Sequence, residues 1–151
     1  GAGVGGHCIA VDPWFIVHAG AEDAKLIKTA REVNNYKTEW VIEKIKNKAL
    51  EFEQQNNKVA KIACMGLAFK PNIDDLRESP AVYITQRLID SGNQVMPVEP
   101  NLKEHKDFRL FDIEEVLSNA DLFVFLVGHK EFLNLNINKN ICLDFCGINS
   151  L

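Results

Sequence analysis

The 151-residue sequence has no apolar run that approaches the roughly 20 residues a helix needs to cross a bilayer. It also has no excess of positive charge, since 17 Lys and Arg stand against 21 Asp and Glu and leave a net charge of -4. This balance does not favour a protein that mainly binds the nucleic-acid backbone. Internal repeats and low-complexity tracts are absent as well. The composition, 46% hydrophobic and 25% charged, is that of an ordinary globular protein.

Cysteines are few and show no paired metal-binding spacing. Cys64 and Cys142 lie inside apolar runs, where cysteine packs as a small hydrophobic residue. Cys142 and Cys146 have no second pair and no clustered histidines beside them, so we expect no zinc site. Reduced thiols of this kind predict a cytoplasmic location.

An initiator methionine is also absent, and the sequence opens on a glycine-rich stretch, GAGVGGHCIAVDPWFI. This start predicts a piece of a longer protein. Gly1, Gly3 and Gly6 match the letters G-x-G-x-x-G, but a dinucleotide-binding turn needs a strand before it and a helix at the third glycine. Here the next residues predict an extended segment interrupted by Pro13. We therefore expect a loop whose backbone cradles a phosphate or a sugar.

Cys8 directly follows this loop and is the leading candidate nucleophile. Backbone N–H groups beside a thiol stabilise the thiolate, which is its reactive form. The alternative is a free thiol in a flexible terminus, and the pattern alone does not choose between the two. Asp12 can orient a water or a lysine, although Asp before Pro is also common in turns. His7 is a candidate for a catalytic role only because it lies beside Cys8 in the sequence, and we expect a structural role for it instead.

Residues 22–55 carry apolar side chains at three-to-four spacing with Lys and Glu between them, which predicts a helix. Asn34 and Asn35 mark a candidate break or kink. One long helix, serving as a spine between domains or as a dimer seam, fits this pattern. Two ordinary helices packed on a local core fit it equally well.

From residue 59 onward, short apolar runs alternate with helical patterns. Strands that are apolar on both faces and alternate with helices form parallel sheets covered on both sides. The predicted fold class is therefore α/β, with a doubly wound, mainly parallel sheet. The predicted strands are 59–65, 93–98, 121–127 and 141–145.

Helix signals fall between these strands. Ser79 and Pro80 have the N-cap and N1 chemistry of a helix start, and that helix is expected to stop at Gly92. Asp112 and Glu115 resemble a capping box at the start of a second helix. A short helical turn is expected from His129 to Leu133.

Ligands in such folds bind beyond the carboxyl ends of the strands. Phe69 and Lys70 follow the first strand there, and a lysine at that edge suits a diphosphate. A solvated loop lysine is the alternative. Arg77 lies among three acids, so a salt bridge within its own loop competes with anion binding. For His129 we expect a place at a helix start.

Two motifs together resemble those of the nucleotide-sugar 6-dehydrogenases, the UDP-glucose/GDP-mannose dehydrogenase family. They are GAGVGGHCIAVDPWF at 1–15 and GLAFKPNIDDLRESPA at 66–81. The HCIAVDPWF form, rather than an SCFPKD form, resembles the branch that oxidises UDP-N-acetyl-D-mannosamine. The resemblance covers essentially the whole chain. It implies the end of a catalytic segment at 1–20, a connecting and dimerising helix at 21–56, and a UDP-binding Rossmann-like domain at 57–151.

The resemblance also implies roles for single residues. Cys8 matches the nucleophile that captures the sugar aldehyde, Asp12 matches an assisting aspartate, and Arg77 matches an arginine that reaches NAD. The positions that match contacts to the UDP-sugar are Gly1, Gly3, Val4, Gly5, Phe69 and Lys70. No metal is implied.

For the whole protein, the resemblance implies an NAD-dependent homodimer that oxidises a UDP-sugar to the acid for surface polysaccharide synthesis. The hydropathy and net charge predict no membrane or nucleic-acid partner. The family's NAD-binding domain is not in this sequence, so no turnover is expected from this chain alone. Ala2 replaces a common Pro, and DFCGINSL at 144–151 lacks a basic residue often found there. UDP-N-acetylglucosamine or UDP-glucose as the substrate, and a non-catalytic binding module, remain alternatives.

Overall fold

The computed structural model describes residues 1–148, in which four helices and four strands follow one another. Short 3-10 turns at Lys130–Phe132 and Lys139–Ile141 precede the last strand. Within the described residues, every helix is too short or too polar to cross a membrane. The elements are α1 (Asp12–Ala19), α2 (Lys25–Asn56), β1 (Lys61–Met65), α3 (Pro80–Asp90), β2 (Gln94–Val98), α4 (Ile113–Asn119), β3 (Leu122–Phe125) and β4 (Cys142–Asp144).

The four strands form one parallel sheet in the order β2-β1-β3-β4. Ile62 at the centre of the sheet lies opposite Val95 on one side and Leu122 on the other. The chain leaves β1 toward β2, then returns past β1 to form β3, so the direction of winding reverses between β1 and β3. The predicted α/β, doubly wound class is confirmed. The strands are shorter than predicted because their ends turn into loops.

Both faces of the sheet are buried. Ile62 and Cys64 point into a core shared with α2 and α3, while Ala63 and Met65 point into a second core beneath α4. Successive residues of a strand face opposite sides, so a strand covered on both sides is apolar throughout. Burial raises the pKa of the Cys64 thiol to about 12, which makes it a packing residue.

Helix α2 is continuous over its 32 residues and therefore spans about 48 Å. The predicted break at Asn34 and Asn35 is wrong, as is the alternative of two separate helices. The second half of α2 packs on the sheet through Val41, Ile45 and neighbouring residues. The predicted division of the chain into domains at residues 20 and 56 stays a prediction.

The extended segment predicted around Pro13 is also wrong, because residues 12–19 form α1. Proline in the first turn leaves no helical hydrogen bond unmade, so it starts this helix instead of interrupting it. The predicted start at Ser79 is confirmed, since its hydroxyl accepts hydrogen bonds from Ala81 and Val82. The predicted helix start at Asp112 is confirmed, because Asp112 is the N-cap of α4, but the capping box does not form: Glu115 instead accepts from Arg109.

Candidate functional site

A cavity of about 310 Å³ lies where the winding of the sheet reverses, at the carboxyl ends of β1 and β3. In open parallel sheets this is the place where ligands bind, because the loops that follow the two strands separate there. The walls come from the start of the chain, the loops after β1 and β3, the start of α3 and the segment after β4. Lining residues include Gly1, Gly3, Phe69, Lys70, Gly128 and Cys146.

The loop after β1 begins at Gly66, which has a positive φ of 87°. A Cβ there would lie 2.6 Å from the carbonyl oxygen of Val127, so only glycine lets the two loops approach this closely. The structure brings Phe69 and Lys70, both predicted as ligand contacts, to the cavity wall. The Phe69 ring is half-buried, and Lys70 is exposed with its Nζ 5.6 Å from the centre of that ring. Within residues 1–148, Lys70 forms no ion pair.

The opening glycine loop packs against the segment that leads into α3. A Cβ on Gly5 would collide with the carbonyl oxygen of Glu78 and lie 2.7 Å from the Pro80 ring. A Cβ on Gly6 would lie 3.2 Å from the Phe69 ring. Gly5 and Gly6 thus allow close packing within the chain, and the ligand-binding role predicted for the loop stays a prediction. Gly1 and Gly3 do line the cavity.

Val4 is not brought to this cavity. Its backbone N–H donates to Asn34 Oδ1 at 2.7 Å, and its carbonyl oxygen accepts from Asn34 Nδ2 at 3.2 Å. Both backbone polar groups of Val4 are therefore hydrogen-bonded within the chain, and its role as a substrate contact stays a prediction. Val4 instead lines a separate cavity of about 690 Å³, together with Arg31 and other residues of α2 and α3.

Cys8 lies outside the cavity lining, in an exposed turn directly before α1. Its carbonyl oxygen accepts from the N–H of Asp12 at 2.8 Å, so the predicted nucleophile and the predicted assisting aspartate lie one turn apart. Backbone N–H of Gly6 donates to the carbonyl oxygen of Arg77 at 3.2 Å. This bond attaches the turn that carries Cys8 to the loop that carries Arg77.

Arg77 forms the salt bridge within its own loop that was the alternative to anion binding. Its Nη2 lies 2.6 Å from Asp75 Oδ2, and its Nε donates to both carboxylate oxygens of Asp75 at 3.0 Å. The hydrogen bond to Asp75 and the negative charge of that residue raise the pKa of Arg77, with a smaller contribution from Cys8. The same hydrogen bond lowers the pKa of Asp75 to about 2, with a further contribution from nearby His7. Arg77 and Cys8 are thus electrostatic neighbours.

Cys146 supplies the β4 side of the cavity and lies 3.6 Å from the position of a Cβ on Gly128. Burial, together with the negative charge of Asp144, raises the pKa of this thiol to about 11. The Cys146 thiol therefore adds no charge to the cavity wall. Among the described lining residues, Lys70 provides the cationic side chain. Among residues 1–148, His, Cys, Asp and Glu nowhere gather in threes as a metal site would require.

Glu99 and His129 are the residues that the sequence reasoning missed. Glu99 is 3% exposed and His129 is completely buried, and Glu99 Oε2 lies 3.0 Å from His129 Nε2. His129 does precede a 3-10 turn, as predicted, but its ring points inward. One signal was available: both residues follow apolar strands, at the carboxyl edge where ligands bind.

A parallel, doubly wound sheet with a cavity at its reversal point defines the class of Rossmann-like α/β domains, which bind their ligands at that point. Residues 63–149 match the model described as the UDP-glucose/GDP-mannose dehydrogenase family, UDP binding domain. This match spans more than half of the sequence, so the chain belongs to the UDP-glucose/GDP-mannose dehydrogenase family.

Individual relatives agree with the family model. A UDP-N-acetyl-D-mannosamine dehydrogenase of Campylobacter jejuni is 47% identical over 97% of this chain and 36% of its own length. An NDP-N-acetyl-D-galactosaminuronic acid dehydrogenase of Ralstonia nicotianae is 47% identical over 92% of this chain and 33% of its own length. The structure of a UDP-D-ManNAc dehydrogenase from Pyrococcus horikoshii superposes with a TM-score of 0.77 at 30% identity, covering 98% of this chain and 36% of that one. The chain therefore spans only about a third of the length of these relatives.

Proposed function

We propose that this chain is the UDP-binding part of an NAD-dependent nucleotide-sugar 6-dehydrogenase that also carries the nucleophile. The proposed reaction converts UDP-N-acetyl-D-mannosamine to UDP-N-acetyl-D-mannosaminuronate, for surface polysaccharide synthesis. The observation that carries the proposal is the cavity at the reversal point of the sheet, lined by Gly1, Gly3, Phe69 and Lys70. The 47% identical relative named for UDP-N-acetyl-D-mannosamine supports the choice of sugar.

The cavity offers two kinds of contact to a nucleotide diphosphate. The half-buried Phe69 ring provides a flat apolar surface for a base or a ribose. Lys70 provides a cation for the diphosphate, and its charge is not neutralised by an acid within residues 1–148. The backbone of Gly1 and Gly3 forms the wall on the side of the opening loop. We propose that UDP lies in this cavity with its diphosphate toward Lys70.

The opening loop leads from this cavity to the proposed nucleophile. Gly1 and Gly3 line the cavity, Gly6 lies against the Phe69 ring, and Cys8 follows two residues later. A UDP-sugar with its nucleotide in the cavity can therefore extend its sugar along the loop toward Cys8. This direction of the loop supports our assignment of the sugar end of the site.

The chemistry proposed for Cys8 begins once the C6 alcohol has become an aldehyde. The Cys8 thiolate adds to the C6 carbonyl, forming a carbon–sulfur bond, and the oxygen takes a proton to give a thiohemiacetal. Loss of a hydride from C6 and of the hydroxyl proton then gives a thioester. Water displaces the thiolate and releases the acid. NAD, when bound, would supply the hydride acceptor for both oxidations. A free thiol with this role needs a reducing compartment, which fits the predicted cytoplasmic location.

Arg77 is the residue of this chain that we propose to reach the NAD. Its pairing with Asp75 uses Nε and Nη2, while the side chain stays 62% exposed, so the guanidinium can still donate to a phosphate. This geometry fits an NAD contact. Asp12 keeps its predicted assisting role as part of the proposal, because it lies one turn from Cys8.

Calorimetry with UDP and with UDP-N-acetyl-D-mannosamine tests the binding proposal on this chain. Lys70→Met should weaken UDP binding by about tenfold, because it removes one charge-assisted contact. Binding of uridine, which has no phosphate, should not change. Lys103→Met is the matched control, since Lys103 is an exposed loop lysine after β2 and lines a different cavity. Absence of UDP binding by the unmodified chain would contradict the proposal.

The catalytic proposal is tested in the longer enzyme that we propose contains this chain. Cys8→Ser should abolish formation of the acid, whereas a non-catalytic binding module would be unaffected by the change. Comparing UDP-N-acetyl-D-mannosamine with UDP-N-acetylglucosamine and UDP-glucose in the same assay identifies the sugar.

We also propose a homodimer formed through α2. Leu26, Val33 and Tyr36 lie on one side of its first half and are 82%, 61% and 69% exposed. Such a row of exposed apolar side chains supports a helix–helix contact. Leu26→Glu should convert a dimer to a monomer in sedimentation experiments, while Lys48→Glu, in the second half of α2, should not.

A further inference from the structure

The carboxylate of Glu99 collects hydrogen bonds from three separate segments. Oε2 accepts from the backbone N–H groups of Leu67 at 2.7 Å and Ala68 at 2.9 Å, and it lies 3.0 Å from His129 Nε2. Oε1 accepts from the backbone and the side chain of Asn101 at 3.1 and 3.2 Å. A buried charge is stable only when its oxygens are satisfied in this way, and here both are.

The other side of the His129 ring determines its tautomer. Nδ1 lies 3.0 Å from the backbone nitrogen of Asn72, which can only donate, so Nδ1 must accept. In the neutral ring the proton is then on Nε2, which donates to Glu99. The ring therefore connects Glu99 to Asn72 through two directional bonds.

Together the two side chains hold both ends of one loop. Glu99 binds the N–H groups of Leu67 and Ala68 at the start of the loop after β1, and His129 binds Asn72 at its end. Phe69 and Lys70 lie between these attachment points, on the cavity wall. Asn72 has a positive φ of 60°, so its bond to His129 also holds a conformation that non-glycine residues seldom adopt.

We propose that Glu99 and His129 are positioning residues that clamp residues 67–72 in the conformation that presents Phe69 and Lys70 to a nucleotide diphosphate. The inference rests on the proposed function, because it assigns a ligand to the same cavity. Neither side chain lines that cavity, so both act through the loop. A carboxylate at position 99 can accept from all of these N–H groups, because both of its oxygens are acceptors. A glutamine there would point its own NH₂ group at one set of these N–H donors.

Two substitutions of the same histidine separate the two ends of the clamp. His129→Gln can keep a donor toward Glu99 but loses the acceptor for Asn72. His129→Asn can keep that acceptor but loses the donor. Val116→Ala is the control for general loss of stability, because Val116 is the fully buried residue of α4 and packs in the core between that helix and the sheet. If both histidine variants fail to fold, Asn101→Ala, which removes side-chain donors to Glu99 and His129, is measured in their place.

Two readouts are taken on the 151-residue chain at a temperature where every variant is folded. Amide hydrogen exchange should accelerate at Asn72 in His129→Gln and at Leu67 and Ala68 in His129→Asn. The Kd for UDP should rise about tenfold in both variants, because loop order must then be restored on binding. Val116→Ala should leave the Kd unchanged.

Faster exchange with an unchanged Kd would overturn the inference, because the pair would then stabilise the loop without positioning its ligand contacts. Unchanged exchange in both variants would overturn it as well. A chain that fails to bind UDP even without substitutions would instead contradict the proposed function, and the exchange data would still show whether the clamp exists.

Discussion

Asn34 of α2 presents its side-chain amide to Val4 as a neighbouring strand would, accepting from the backbone N–H and donating to the carbonyl oxygen. The contact joins the long helix to the loop that leads to Cys8, across 30 residues of sequence. Because Asn34 lies inside a continuous helix, this contact places the opening loop relative to the sheet on which the same helix packs.

Replacing Asn34 should therefore release the opening loop. Asn34→Ala removes two hydrogen bonds and should lower the free energy of unfolding by about 1 kcal/mol. Amide exchange at Val4 should accelerate, because its N–H loses its acceptor. Asn35→Ala is the matched control, since Asn35 is the next residue of the same helix and is exposed. Equal effects of the two substitutions would show that helix propensity, and not the contact with Val4, is responsible.

Gly5 and Gly20 offer a direct test of close packing in the opening loop. Gly5→Ala should lower the free energy of unfolding by about 1–3 kcal/mol, because the new Cβ meets the Glu78 carbonyl and the Pro80 ring. Gly20→Ala should be neutral, since nothing lies within 4 Å of the position of its Cβ. Denaturant unfolding measures both. A harmless Gly5→Ala would mean that the loop does not pack against Glu78 in solution.

The four thiols should differ in their reaction with iodoacetamide. Cys8 is exposed and should react first, whereas Cys64 is buried with its pKa raised to about 12 and should react at least about a hundredfold more slowly. The pKa of Cys146 is raised to about 11, so its reaction should accelerate steeply above pH 8. Mass spectrometry of the labelled peptides gives each rate.

The same labelling reports on the cavity. Because Cys146 lines it, UDP should slow the labelling of Cys146 and leave the rate at Cys142 unchanged. Protection of both cysteines, or of neither, would contradict the proposed position of the nucleotide.

Glu99 should make the stability of the fold depend on pH at the acidic end. Burial alone would raise its pKa, but hydrogen bonds from His129 and from backbone N–H groups lower the pKa from 4.5 to about 2. A carboxyl group with a depressed pKa stabilises the fold above its unfolded-state value, and this contribution is lost as the pH falls toward 2. The difference in unfolding free energy between the unmodified chain and Glu99→Gln should therefore shrink between about pH 4.5 and 2.

Urea unfolding at a series of pH values measures this difference. Glu104→Gln is the control, because Glu104 is exposed on the loop after β2. A difference that stays constant down to pH 2 would mean that Glu99 is not held ionised by its partners.

The fold class was predictable because its signal is local and repeated. The strands are apolar on both faces apart from residues at their ends, and α-helices separate the first three strands, so a parallel sheet buried on both sides follows from the pattern. The start of α3 was predictable for a similar reason, since Ser79 and Pro80 are adjacent in sequence. The prediction around Pro13 was wrong because proline can either interrupt a regular segment or occupy the first turn of a helix, and here it does the latter.

The partners of the glycines and of the buried polar residues were not predictable in this way. Gly5 meets Glu78, and Glu99 meets His129, only after the sheet has formed and brought distant loops together. The continuity of α2 through Asn34 likewise depends on tertiary contacts, because the asparagine finds its partner in Val4.

The sequence by itself determined the α/β fold class, the order of the strands along the chain, and the two motifs that place it in its family. These depend on residue types at short spacing, which act before the chain is folded. Only the tertiary structure decided that Gly1, Gly3, Phe69 and Lys70 share a cavity while Val4 turns away from it. It also decided that Glu99 and His129 hold the loop between them. The physical reason is that these relationships depend on directional hydrogen bonds and close contacts between segments far apart in sequence.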